Sequence, residues 1–206
     1  MSAIAIIDYK LCNLHSVAAA VVKCGHTPVI TDRADDLRNA THCILPGVGS
    51  FADAMENIRN LGIDKMLKTY VLEKGYPLLG ICLGMQLLAT KGLEGGTTDG
   101  LNFIDGEVRK LEPKNKEERI PHIGWNEVHI VKDSPLVRDV PSDKDFYFVH
   151  SYAMHCADKN DVIAQTPYCG SFASIVEHDN VFGAQFHPEK SQKLGLKLLE
   201  NFLTYC

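Results

Sequence analysis

Four short apolar runs in the first part of the chain set the tightest limit on its fold: AIAII at 3–7, TPVIT at 27–31, THCIL at 41–45 and PLLGI at 77–81. PLLGI lacks apolar–polar alternation, as expected of a strand buried on both faces of a parallel sheet. The intervening segments carry a different period. LHSVAAAVVKCG is apolar at helical spacing and closes at Gly25, and Asp53 to Thr69 places Met55, Ile58, Leu61 and Met66 at helical spacings, continuing from Ile63 to Glu73 toward Gly75. MQLLAT extends PLLGICL as a further helix. Strand and helix in alternation predict a parallel sheet covered by helices, with ligands at the carboxyl ends of its strands.

The second half reads differently. GEVRKLEP, HIGWNEVHIV, DFYFVHSYAM, DVIAQTPY and ASIVEHDNVFGAQFHP are β-rich runs at close spacing, and SQKLGLKLLENFLTYC closes the chain as a helix. The expected fold is therefore α/β, a three-layer domain with a mostly parallel central sheet and a β-rich extension in the second half, formed as a single domain over residues 1–206. The loops of interest follow strands: DYKLCN, PGVGSF, GICLGMQ and FHPEKS.

Composition narrows the function. Hydrophobic residues make up 45%, charged residues 23% and the net charge is −5, with both signs mixed along the chain. No phosphate-neutralising surface is implied, so nucleic acid is not an expected partner. No apolar stretch has the length or flanks of a signal or membrane span, so a cytoplasmic protein without a membrane partner is expected. The seven cysteines form no CxxC pair and no zinc-like Cys/His spacing, so no metal site is expected and a reducing compartment fits.

GICLGMQ, at 80–86, turns from an apolar strand into a helix with a glycine two before and two after Cys82. This is the pattern of a nucleophile elbow, in which Gly80 and Gly84 remove Cβ clashes and Cys82 stands at a helix N-terminus, where free N–H groups favour a thiolate. Alone it fits an inert core cysteine equally well. FGAQFHPEKS supplies a base at His187 and, two residues on, Glu189 to orient it, completing a nucleophile, base and orienter. PGVGSF offers backbone N–H groups suited to an oxyanion.

Taken together, PGVGSF, GICLGMQ, PHIGWN, YFVHSY and GAQFHPEKS resemble the class I (triad) glutamine amidotransferases over nearly the whole chain, and within them the glutaminase subunits of imidazole glycerol phosphate synthases. The resemblance implies a flavodoxin-like domain that needs no cofactor and hydrolyses L-glutamine to glutamate and ammonia through a Cys82 thioester, with His187 as base and acid and Glu189 orienting it. It implies an oxyanion hole from the backbone at Gly47, Val48 and Leu83, and glutamine held by Gly49, Gln86, Glu94, Ser151 and Tyr152. It also implies a heterodimer with a (β/α)₈ cyclase of histidine biosynthesis, which receives the ammonia across a face including Asn13, Trp125, Tyr147 and Lys190.

One loop departs from the family pattern. The family's first loop resembles DYGMGN, whereas here Lys10 and Cys12 occupy the glycine places. Since that loop faces the synthase, a paralogous glutaminase serving a surface-sugar amidotransferase also fits, and the elbow by itself would suit a stand-alone γ-glutamyl cysteine hydrolase. A non-catalytic subunit fits less well, because cysteine, histidine and glutamate are all retained.

Overall fold

The protein was analysed as a computed structural model that describes residues 3–205. Cys206, the end of the expected closing helix, lies outside the described residues, as do Met1 and Ser2. In the first half, strands β1 (Ala3–Ile7), β2 (Thr27–Thr31), β3 (Ala40–Leu45) and β4 (Leu78–Ile81) alternate with helices α1 (Leu14–Lys23), α2 (Ala34–Leu37), α3 (Phe51–Asn60), α4 (Ile63–Leu67) and α5 (Leu83–Leu87). The second half contains β5 (Lys91–Gly92), β6 (Thr98–Asp99), β7 (Gly106–Lys110), β8 (His122–Ile130), β9 (Lys144–His150), β10 (Tyr152–Cys156), β11 (Val162–Thr166), β12 (Phe172–His178), β13 (Val181–Ala184) and α6 (Gln192–Leu203).

The main sheet has the order β2-β1-β3-β4-β13-β12-β11-β8-β9. Its first five strands pair in parallel and the remaining four continue antiparallel, giving the expected parallel centre and β-rich extension. Successive residues of β1 face opposite ways. Ile4 and Ile6 join a core with Val17 and Val21 of α1 and Leu198 and Phe202 of α6, while Ala5 and Ile7 pack with Met55 and Ile58 of α3 and Met85 of α5. Helices therefore cover both faces of the parallel half, and each fully buried Ile or Leu contributes roughly 1.5–3 kcal/mol.

Three local expectations need correcting. The helix expected over Asp53–Thr69 is broken at Gly62, whose φ of +69° is left-handed, and it begins earlier because Ser50 caps it by accepting from the Asp53 N–H at 3.2 Å. The helix after the elbow ends at Leu87 rather than running through MQLLAT. The run DFYFVHSYAM is two strands parted at Ser151: β9 stays in the main sheet, while β10 crosses into a second sheet of order β10-β7-β5-β6. This break brings Ser151 and Tyr152 to the wall of the cavity described below.

The elbow depends on its glycines. A Cβ on Gly84 would lie 1.7 Å from the carbonyl oxygen of Leu45, and one on Gly80 would lie 2.7 Å from the backbone of Gly84 and Met85. The helix can approach the sheet this closely only because both side chains are hydrogen. No helix among the described residues is long and apolar enough to cross a membrane.

Candidate active site

Cys82 sits between β4 and α5 with φ +55° and ψ −111°, a strained conformation for a non-glycine residue and the geometry of a nucleophile elbow. It is 6% exposed and opens into a cavity of about 320 Å³ lined by Val48, Gly49, Leu83, Gln86, Glu94, Pro121, Val149, His150, Ser151 and Tyr152. Helix α5 has only five residues, so its dipole is small.

His187 follows β13, the parallel neighbour of β4, so the sheet places the two side chains next to each other. Its Nδ1 lies 2.8 Å from Glu189 Oε1, with both side chains almost fully buried. Burial by itself would lower the imidazole pKa, but the nearby Cys82 sulfur and the hydrogen-bonded Glu189 carboxylate outweigh it and raise the value to about 9. That direction favours the protonated ring, the state that pairs with a thiolate. In the resting conformation the thiol points at the carbonyl oxygen of Val149, 3.7 Å away, and Nε2 of His187 has no hydrogen-bond partner.

The expected oxyanion groups are near the nucleophile but not all are free. Leu83 is the first helical residue, so α5 offers its N–H no partner. The Val48 N–H, however, donates to the carbonyl oxygen of Leu11 at 3.0 Å. The Cys12 thiol adds a second tie by donating to the carbonyl of Pro46 at 3.5 Å. Gly47 has no room for a side chain, since a Cβ would lie 2.0 Å from the Tyr9 hydroxyl, and Gly49 is left-handed at φ +105°.

At the substrate end, Glu94 Oε2 accepts from the Phe51 N–H at 2.8 Å, which fixes the carboxylate at the cavity. Gln86 is buried. Its Nε2 donates to the Tyr152 carbonyl at 2.8 Å and to Gln185 Oε1 at 3.1 Å, so its carbonyl oxygen is what it can offer a ligand. Ser151 and Tyr152 line the same cavity at the β9–β10 break.

The four residues assigned to a partner face lie on the surface. Trp125 is 48% exposed rather than a core aromatic, and on paired strands β8 and β9 its ring meets Tyr147 edge-on with centroids 6.0 Å apart. Lys190 Nζ is 5.9 Å from the Tyr147 ring centre, Asn13 is exposed at the start of α1, and α1 packs against the turn carrying Lys190. Ile123, 60% exposed, extends this apolar face along β8.

Lys10, in a glycine place of the family loop, adopts φ +74°. Its N–H bonds Asp8 Oδ1 at 2.9 Å, and its ammonium pairs with Asp8 and Asp32 at 2.9 and 3.3 Å. These contacts offset a left-handed conformation that glycine adopts without strain.

Sequence reasoning overlooked a buried polar chain beside the cavity. His150 Nδ1 lies 2.8 Å from the Tyr152 carbonyl, His122 Nδ1 lies 3.0 Å from His150 Nε2, and Asn126 Nδ2 lies 3.2 Å from His122 Nε2. Because the carbonyl only accepts, His150 carries its proton on Nδ1, His122 does likewise, and Asn126 donates at the far end. Both rings must be neutral. Burial pushes His122 down to about 4 and His150 to about 3. FVHSY and PHIGWN each contained one of these histidines, but only the β8–β9 pairing brings them together.

The pair has a consequence for stability. Both folded-state values lie below the unfolded value of about 6.5, so the unfolded chain binds protons first as pH falls. Stability should be insensitive to these groups above pH 6.5 and decline below it, down to about 4 for His122 and about 3 for His150, each adding at most roughly 1.4 kcal/mol per pH unit. Denaturant unfolding between pH 7 and 4.5 should show this slope, reduced in His150→Gln. An equal slope in the variant would contradict a buried neutral His150.

Comparison with known proteins places this geometry among relatives. The model of the family described as glutamine amidotransferase class-I matches residues 5–206. Imidazole glycerol phosphate synthase subunit HisH 1 of Campylobacter jejuni (strain RM1221) is 50% identical over 200 residues, covering 97% of this chain and 98% of that protein. Imidazole glycerol phosphate synthase subunit HisH 2 of Nitrobacter winogradskyi is 45% identical over 210 residues, covering 100% and 99%. Among solved structures, PurLQS from Thermotoga maritima superimposes with a TM-score of 0.75 at 20% identity, covering 100% of this chain and 99% of that one, a likeness of fold.

Proposed function

The chain belongs to the class-I glutamine amidotransferases, and from that premise we infer that it is the glutaminase subunit of an imidazole glycerol phosphate synthase. The observation that carries the chemistry is the left-handed Cys82 beside His187, whose other nitrogen is held by buried Glu189. The Cys82 thiolate adds to the side-chain carbonyl carbon of glutamine. Ammonia leaves with a proton from His187, giving a thioester, and water then attacks with His187 as base, releasing glutamate and the thiol. Glu189 keeps the ring oriented and its charge compensated.

Substrate binding follows from the free donors and acceptors. The Gln86 carbonyl oxygen and the remaining oxygen of Glu94 suit the α-ammonium group of glutamine, with Gly49, Ser151 and Tyr152 bounding the cavity. The ammonia passes to a synthase subunit docked over Trp125, Tyr147, Lys190 and Asn13. We assign a (β/α)₈ cyclase as that subunit and the cytoplasm as the compartment.

A second reading, a glutaminase for a surface-sugar amidotransferase, draws on Lys10 and its two aspartate partners in the first loop, which alter the charge on the partner side. One experiment separates the two. With amide-labelled ¹⁵N-glutamine, label should enter imidazole glycerol phosphate when the histidine-pathway cyclase is added. Glutamate release without label transfer would reject the cyclase and favour the second reading.

A further inference from the structure

The geometry points to Gln185 as a positioning residue for the nucleophile, its side-chain amide holding the Cys82 sulfur and donating an N–H that stabilises the thiolate. This rests on the glutaminase reading above and adds a residue to it. Gln185 directly follows β13, two residues before His187, and is fully buried. Its Nε2 lies 3.8 Å from Cys82 Sγ, within reach of a hydrogen bond to sulfur. Its backbone N–H donates to the carbonyl of Ser174 on β12 at 2.9 Å, which fixes the side chain's origin.

The direction of the amide is settled by what surrounds it. A carboxamide can be turned over with little change in shape, so its nitrogen must be assigned from its partners. Here the chain starts at the Tyr152 carbonyl, which only accepts. The Gln86 atom 2.8 Å from it is therefore the amide nitrogen, and the second N–H of that nitrogen points at Gln185. Gln185 must accept there with Oε1, which leaves its own NH₂ facing the sulfur. His150 Nδ1 donates to the same carbonyl and steadies the anchor.

Hydrogen bonds to an ionised acceptor are the stronger kind, so this donor favours the thiolate over the thiol. The titratable groups around Cys82 are His187, whose charge acts in the same direction, Tyr9, and His150 and Glu94 on the cavity wall. Gln185 contributes a fixed neutral donor that does not titrate with them. The sequence offered a signal, a lone amide in the apolar run VFGAQF, but only the fold brings it onto the sulfur.

The test uses the full chain with Gln185→Met, which keeps the length but loses the donor, and Gln185→Glu, which still accepts from Gln86 but turns a carboxylate on the sulfur. In both variants the pH at half-maximal rate of iodoacetamide modification of Cys82 should rise, by about one unit in Gln185→Met and further in Gln185→Glu. In Gln185→Met, kcat for glutamine should fall about tenfold or more with KM within about twofold. Alkylation profiles that superimpose on the wild type would overturn the proposal, whatever the melting temperature does. Should Gln185→Met fail to fold, the Gln185→Glu profile decides alone. Because alkylation needs no turnover, a wild-type chain releasing no glutamate would sink the glutaminase reading while the alkylation shift still judged Gln185.

Discussion

Replacing Cys82 by alanine is expected to lower glutamate release from glutamine by about 10⁴-fold or more, with the fold retained. In the proposed mechanism the sulfur is the atom that forms the thioester, and no other thiol among the described residues lines the cavity. Alanine tolerates the left-handed backbone no worse than cysteine does, and the glycines that allow the helix to close on the sheet are untouched. His187→Gln should cost nearly as much, because the imidazole both pairs with the thiolate and returns a proton to the leaving ammonia. The double variant should then be little worse than either single one, since the two residues act as a unit. Timed glutamate assays on the three variants check this. Residual activity above roughly one per cent in Cys82→Ala, or losses that multiply in the double variant, would reject Cys82 and His187 as a pair.

The legibility of this site in the sequence follows from where its information lies. Cys82, Gly80 and Gly84 are local: an apolar run, a sharp turn and a helix start are contiguous, and the glycine clearances of 1.7 and 2.7 Å are the clashes the pattern foretold. His187 and Glu189 were legible for the same reason, as a histidine at a strand tip with a carboxylate two residues on. The parallel half of the sheet could be read from alternating periods. What escaped notice depends on long-range pairing. The His122–His150 bond requires β8 to lie against β9, and the grip of Gln185 on Cys82 requires β13 beside β4. The break at Ser151 is invisible in DFYFVHSYAM because the two halves have the same strand character, and only their sheets differ. Trp125 is the opposite case: a single tryptophan is usually buried, but the resemblance put it on an outer face, and it is 48% exposed.

A docked synthase is expected to raise kcat for glutamine hydrolysis by about 10²–10³-fold while changing KM much less, the effect of gaining one oxyanion donor. In the chain alone, the Val48 N–H is spent on the Leu11 carbonyl at 3.0 Å, and the Cys12 thiol holds Pro46 at 3.5 Å. Both ties come from the loop DYKLCN, so anything that shifts this loop bears directly on the oxyanion segment. Turning the Gly47–Val48 peptide would free the N–H toward the cavity, and the left-handed Gly49 beside it shows how tightly the segment is curved. Because the groups holding the α-ammonium end are untouched by that turn, the gain should fall on turnover rather than on binding. Steady-state kinetics with and without the partner measure it. Cys12→Gly removes one of the two ties and should raise the partner-free rate while shrinking the stimulation. Full activity without a partner, or stimulation confined to KM, would mean that the Val48 N–H is not the missing donor.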